Sequence, residues 1–478
     1  MVIGIILSFV AVIAVIALDA AKKINLMAAV PLFLYFPVAL NLVLLGWWLY
    51  TVLLVQYSVA AMIFCSLPLG LLILYWWLRL NIFPVRDGHK TGPRLKAMIG
   101  GRFIALRSVW AVMLEGILLL IFYPILSRNG VPTNILVING VYALLLLLFL
   151  LANGTLRMFC TSRRLSIIRR VILLFTWWIP VVNLFVLGYV SRLVSEEYDY
   201  ALYKANLNQT RVESDLCRTR YPLVMVHGVF FHDLRYFNYW GRIPKELIRQ
   251  GATVYYGNQE AVGTIAYNAE DIRKKIFQVM EETGAEKVNI IAHSEGGLDA
   301  RYAISTLEMG DYVASLTTMG SPHHGGRYMD FAVKLPEKVY RFIAKIFDNT
   351  FRRMGDKSPD FYNATRAFLP AISKEFNQEV PDSPGVYYQS FASKMNHPFS
   401  EPLLAFPYLF TKPLEGDNDG LVSVESSKWG NYRGLLVSKG FRGVSHADMI
   451  DLKRQDYKGF DIVETYVQIV AELKKMGY

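Results

Sequence analysis

The stretch KVNIIAHSEGGLDARY, residues 287–302, decides how the second half of this chain folds. It opens on an apolar, β-branched run, Val288 to Ile291, of the kind that fills a buried strand. From Gly296 onward it reads as helix. Between the two lie Ala292, His293, Ser294, Glu295 and Gly296. A residue on so abrupt a strand-to-helix turn is held in a strained, exposed conformation, with its side chain above the end of the sheet. The positions two before and two after it must be small, because strand and helix pass close together. Ala292 and Gly296 satisfy this, although Ala stands where Gly is usual. Ser294 is the candidate nucleophile.

Working outward, YPLVMV (221–226), ATVYYG (252–257), ASLTTMG (314–320), GVYYQSFA (385–392) and RGLLVS (433–438) read as further buried strands. AEDIRKKIFQVMEETG (269–284) and DIVETYVQIVAELKKMG (461–477) carry the helical period between and after them. Such alternation predicts a mostly parallel, doubly wound sheet with helices on both faces. No internal repeat or low-complexity tract interrupts it.

A serine nucleophile needs a base, and the base needs an orienting carboxylate; on this fold they follow the serine in the order acid, then histidine. Histidines after Ser294 stand at 323, 324, 397 and 446. Only His446, in a loop beyond the last strand, follows a late acidic cluster, EGDNDGLVS. Within that cluster Asp419 is favoured over Asp417 and Glu415, because Gly420 gives a tight turn before extended sequence resumes. His323 and His324 follow an earlier strand end and are expected to line the site. The oxyanion formed by attack on a carbonyl requires N–H donors. The backbone of Glu295 supplies one, and Val229, after His227-Gly228, the other.

The first half has another chemistry. Residues 1–193 hold sixteen Lys and Arg against three acids, whereas the remainder holds 34 against 36. Overall hydrophobic content is 53% and mean hydropathy +0.29. Basic charge confined to the apolar half points to a membrane and its flanks, not to nucleic acid. Apolar stretches near 2–19, 27–49, 52–79, 108–127, 134–153 and 171–190 are long enough to cross a bilayer. The boundary at Gln56-Tyr57-Ser58 is soft, so five spans compete with six. No basic residue precedes the first stretch, which separates it from a secretory leader.

Arg79, Arg86, Lys90, Arg94, Lys96, Arg102 and Arg107 crowd one connection, and Arg157, Arg163, Arg164, Arg169 and Arg170 another. Both are expected on the cytoplasmic side, which leaves everything after Leu193 outside the cytoplasm. Glu115 is the one acid within a span and is expected to hold helices together. A polar stretch, 194–219, links an N-terminal transmembrane domain (1–193) to the second domain (220–478). Cys65, Cys160 and Cys217 are expected as unpaired thiols.

Taken in order, YPLVMVHG, GATVYYGN, KVNIIAHSEGG, SLTTMGSPHHGG, NDGLVS and SHAD resemble the bacterial true lipases, triacylglycerol lipases of the α/β-hydrolase fold, over residues 219–478. The resemblance implies roles by position: Ser294 as nucleophile, Asp419 as acid, His446 as base, and Val229 and Glu295 as oxyanion-hole donors. It also implies a structural calcium near the histidine loop, with Asp448 in one ligand position. Leu452, where a second side-chain ligand is expected, cannot coordinate. No other cofactor is required.

An insert at about 327–384 falls where family members carry a lid. There Val339, Phe342, Ile343, Ile346, Phe347 and Phe351 recur at helical spacing. The expectation is thus a multi-pass membrane protein whose extracytoplasmic domain hydrolyses carboxylic esters of lipids through an acyl-serine intermediate. Its partners are the lipid substrate and membrane lipids; no nucleic acid and no protein partner is indicated. Acyl transfer by the same residues, or a catalytically silent extracytoplasmic binding domain, are the competing readings.

Overall fold

A computed structural model describes residues 2–26, 32–53, 59–85, 92–210, 215–230, 239–457 and 459–478. The chain forms two compact units, Met1–Leu207 and Asn208–Tyr478. The division falls inside the stretch expected as a linker. Residues 211–214 of that stretch, the boundary at Gln56-Tyr57-Ser58, Arg86 and Lys90 lie outside the described residues.

The first unit is helical: α1 Val2–Ala20, α2 Leu32–Leu40, α3 Leu42–Leu53, α4 Val59–Ile82, α5 Pro93–Arg128, α6 Thr133–Thr161, α7 Ile167–Thr176 and α8 Pro180–Thr210. Among the described residues α5 and α6 are long and apolar enough to span a bilayer, and α2 with α3 makes a third if counted as one bent span. The bend is 66°. At the break the Asn41 backbone N–H donates to the Val38 carbonyl (3.3 Å), and its side-chain amide takes the Pro37 carbonyl (3.0 Å) in place of the helical bond. The apolar stretch expected at 171–190 is likewise divided between α7 and α8. Pro180 disfavours helical backbone at the preceding residue.

α8 runs to Thr210, well into the stretch expected as a polar linker. Glu197 within it is buried, accepting hydrogen bonds from Ser162 Oγ (2.7 Å) and the Arg163 N–H (3.0 Å). Arg94 pairs with the same carboxylate at 2.6 Å.

The second unit is built on a six-stranded sheet in the order β2-β1-β3-β4-β5-β6, with every adjacent pair parallel. The strands are β1 Leu223–Val226, β2 Val254–Tyr256, β3 Val288–His293, β4 Val313–Met319, β5 Tyr387–Ser393 and β6 Asn431–Leu436. Each coincides with a stretch read as a strand. Alternation sorts their side chains between two cores. Leu223, Met225 and Ile291 join one with α9 (Ile243–Arg249) and the terminal helix Ile462–Lys475. Val224, Val226, Ile290 and Ala292 join the other with α10 (Ile265–Thr283) and α11 (Gly296–Ser305).

The chain leaves β1 for β2 on one side, then crosses to β3 on the other. In such sheets ligands bind at this reversal, beyond the carboxyl ends of the strands. Between β4 and β5 the expected insert is helical: α12 Met329–Ala332, α13 Glu337–Met354, α14 Phe361–Arg366 and α15 Pro370–Glu379. One more helix, α16 Ala405–Glu415, precedes β6, and Ile462–Lys475 is α17.

Candidate active site

β3 is buried at every position, and the chain turns at Ser294 with φ of 55°, a left-handed conformation rare for a side-chain-bearing residue. Its cost is on the order of 1–3 kcal/mol and is sustained only by rigid surroundings. Those surroundings are visible. The Ser294 N–H donates to the Met319 carbonyl at 3.1 Å, anchoring the turn to β4. A Cβ on Gly296 would lie 2.2 Å from the His227 carbonyl oxygen, so only glycine lets α11 start this close to β1.

Beyond β1, His227 is held by its own ring: Nδ1 is 2.9 Å from the Gly228 carbonyl and Nε2 3.1 Å from that of Gln259. Its side chain is thereby spent on shaping the loop. Among the described residues neither the Val229 nor the Glu295 backbone N–H finds an acceptor within the protein.

Asp419 is fully buried, and its two oxygens divide the work. Oδ1 accepts from the N–H groups of Leu421 (3.0 Å) and Val422 (2.8 Å); Oδ2 is 2.8 Å from His446 Nδ1. The His446 N–H donates to the Asp419 carbonyl at 2.9 Å, which ties the two loops together. Gly320, at the end of β4 with φ of 59°, makes room for the pair. A Cβ there would stand 3.2 Å from Asp419 Oδ2 and 3.4 Å from His446 Nδ1.

Asp417 is occupied elsewhere, between Lys394 (2.8 Å) and Lys412 (2.5 Å). Those two ammonium groups hold its carboxyl below the ordinary range. Glu415 accepts from the Arg327 N–H at 2.5 Å. Of the three acids weighed from sequence, Asp419 is the one against His446. His323 is buried, with Nε2 3.1 Å from Thr318 Oγ1 and its ring stacked on Trp429, so it builds the wall of the sheet end.

One arrangement went unread in the sequence. The His293 ring lies 4.3 Å from the His446 ring, centroid to centroid, and Tyr239 Oη is 2.6 Å from His293 Nδ1. Tyr239 Oη also accepts from the Gly228 N–H at 3.1 Å. This Tyr–His column backs the turn at Ser294 and the imidazole of His446 together. Burial, and next the neighbouring His446, push the His293 pKa well down, so it stays neutral beside the His446 ring. The signal was available in His293 itself, but its partner is 54 residues away and carries no local mark.

The calcium implied for Asp448 does not fit these residues. Asp448 Oδ2 already accepts from Arg442 Nη1 (2.7 Å), the Ser445 N–H (2.9 Å) and Ser445 Oγ (2.8 Å). Leu452 packs against the apolar core beside α17. Among the described residues no three or more His, Cys, Asp or Glu side chains converge as a metal site.

In α13 the side chains turned inward are Tyr340, Ala344 and Phe351. Val339, Phe342, Ile346 and Phe347 face outward, with Phe342 65% exposed. Most of the expected apolar stripe is therefore open. Phe230, next to Val229, meets the insert through Phe347, Phe351 and Phe361 at centroid separations of 5.8–6.1 Å.

A parallel α/β sheet with a left-handed serine at the strand-to-helix turn and an Asp–His pair on later loops defines an α/β-hydrolase. Residues 220–324 match the family described as Lipase (class 2). Triacylglycerol lipase 2 of Saccharomyces cerevisiae is 30% identical over 272 residues, which are 52% of this chain and 77% of that protein. The triacylglycerol lipase of Pseudomonas fragi is 26% identical over 298 residues, 55% of this chain and 99% of that one. Among solved structures, the mature lipase BlEst2 of Bacillus licheniformis aligns with a TM-score of 0.40 at 19% identity, covering 52% of this chain and 91% of its own. The chain belongs to the triacylglycerol lipase family.

Proposed function

We propose that this hydrolase cleaves carboxylic esters of lipids beside a membrane in which its first unit is inserted as a multi-pass bundle, with the second unit on the extracytoplasmic face. The observation that carries the reading is the 2.8 Å contact between Asp419 Oδ2 and His446 Nδ1. With Nδ1 engaged, Nε2 is left as the basic nitrogen for the Ser294 hydroxyl. In the first step Ser294 Oγ attacks the ester carbonyl and its proton passes to His446 Nε2. The oxyanion takes hydrogen bonds from the N–H groups of Val229 and Glu295. Collapse expels the alcohol, which leaves with the proton held by His446, and an acyl-serine remains. Water then repeats the sequence, giving up its proton to His446 and releasing the acid.

The insert fits a lid over this site. Its α13 presents Phe342 and Ile346 outward, and its Phe347 and Phe351 reach Phe230 beside the oxyanion donor. Membrane tethering raises the effective concentration of a lipid substrate.

The test uses the full chain in detergent with a fluorophosphonate probe and p-nitrophenyl esters of increasing length. Wild type should label and turn over esters, with an optimum at long acyl chains. Ser294→Ala should lose labelling and at least roughly 10³-fold in kcat. A wild type that neither labels nor hydrolyses any ester would sink the reading. Cleavage of the second unit by protease added outside sealed cells would support the orientation, and full protection would reverse it.

A further inference from the structure

The expected calcium position holds an arginine. Arg442 Nη1 binds Asp448 Oδ2 at 2.7 Å, while Nε and Nη2 donate to the Ser400 carbonyl at 2.9 and 2.6 Å. Nη2 is also 3.6 Å from Glu401 Oε2, and Lys453 pairs with that same carboxylate. The guanidinium lies 4.1 Å over the Tyr457 ring. Glu401 and Asp448 are each 2% exposed, so two buried carboxylates face two cations. Two carboxylates and a backbone carbonyl are oxygen donors of the type a hard cation collects. Here a fixed fork of N–H donors takes them instead.

Resting on the ester-hydrolase reading, we propose that Arg442 is a built-in substitute for a structural divalent cation, tying the His446 loop to the segment after β5 and so positioning the imidazole. The route is short. The Asp448 carboxylate held by Arg442 also accepts from Ser445, the residue before His446, and Ser445 Oγ accepts from the Asp448 N–H in return, closing a capping box around the His446–Ile450 turn. At the far end Ser400 Oγ donates to the Arg442 carbonyl, and the Asn396 N–H donates there at 3.1 Å. The Arg442 carbonyl thus holds Asn396 and Ser400, and its side chain ties Ser400 and Glu401 to Asp448 in the loop of His446.

The experiment compares full-length wild type, Arg442→Ala and Arg442→Lys in detergent. Wild type dialysed against EDTA should keep its kcat within about twofold and its thermal midpoint unchanged, with or without added calcium. Arg442→Ala should lose about 10–100-fold in kcat with little change in KM, the range seen when a supporting group behind a site is removed. Added methylguanidinium should restore part of that loss, and calcium none. Arg442→Lys, which keeps the charge but not the fork, should fall between. Loss of activity or of thermal stability in EDTA that calcium reverses would overturn the proposal, as would an Arg442→Ala variant with wild-type kcat. If Arg442→Ala fails to fold, Arg442→Lys at wild-type kcat would overturn it equally. A wild type inactive on all esters would sink the hydrolase reading instead, and the midpoint with and without EDTA would still decide the brace.

Discussion

The two units of this chain bury opposite things. In the first, Leu120 and Phe185 are 79% and 78% exposed, while Asp19, Asn139 and Glu197 are buried. In the second, the apolar side chains of β1, β3 and β4 are buried, and His227, Ser294, Asp419 and His446 are buried polar groups that follow strand ends. An apolar exterior is stable only against a medium that is not water, and there polar contacts inside the bundle do the specifying. In the second unit burial of apolar surface supplies the stability, and polar groups are free to be placed for chemistry. The difference predicts where each unit breaks.

The largest effect is expected in the first unit. Glu197 gathers Arg94, Ser162 Oγ and the N–H groups of Arg163 and Arg164 on one buried carboxylate. Glu197→Ala leaves a partly buried guanidinium and two loop N–H groups without that acceptor. Removal of one partner from such a buried cluster costs about 3–5 kcal/mol. The full chain should show a first thermal transition lowered by several degrees, while turnover of a short soluble ester at 25 °C stays within about twofold. If both transitions fall together, the units do not differ in the way argued.

In the second unit the vulnerable point is steric. Gly296→Ala sets a methyl group against the His227 carbonyl, a backbone atom that can move only with β1. Overpacking of this kind costs typically 1–3 kcal/mol, and we expect about 3. Denaturant unfolding should show it, together with slower fluorophosphonate labelling because the turn at Ser294 is displaced. Unchanged stability would mean that α11 can slide away from β1, and that the close approach is not enforced.

How much of this was legible in the sequence differs between the units for the same physical reason. The strands, the turn at Ser294 and the loops of Asp419 and His446 announce themselves locally, through β-branched runs, small residues at fixed offsets and a tight turn at Gly420. Long-range pairs have no such mark. Tyr239 behind His293, Gly320 beneath the Asp–His pair and Arg442 against Ser400 are joined only by the fold. The orientation of α13 was hidden too, because an apolar stripe reads alike whether it faces a core or a solvent-exposed groove. In the first unit hydropathy marks apolar length. The breaks at Asn41 and before Pro180 depend on single residues within uniformly apolar stretches.

The smallest expected effect sharpens the comparison most, because it asks what a polar group costs in the apolar-cored unit. Glu295 and Asp299 lie side by side beneath the Ser294 turn, both almost wholly buried. Asn268 donates to Asp299 Oδ2 at 3.2 Å, whereas Glu295 Oε1 and Asp299 Oδ1 have no hydrogen-bond partner among the described residues. Burial pushes both carboxyl groups well above their ordinary range, and the Asp299 charge raises Glu295 further. In the folded state the pair keeps protons that the unfolded chain gives up above about pH 4. Between that pH and the raised values the unfolded state binds fewer protons, so stability falls as pH rises. Asp299→Asn removes one titrating group and the repulsion on the other, and leaves the Glu295 N–H in place. The unfolding free energy of this variant, measured in urea from pH 5 to pH 8, should decline less steeply than that of wild type. Parallel slopes would mean that the pair is ionised in the folded protein, and that the end of the sheet is better solvated than its burial indicates.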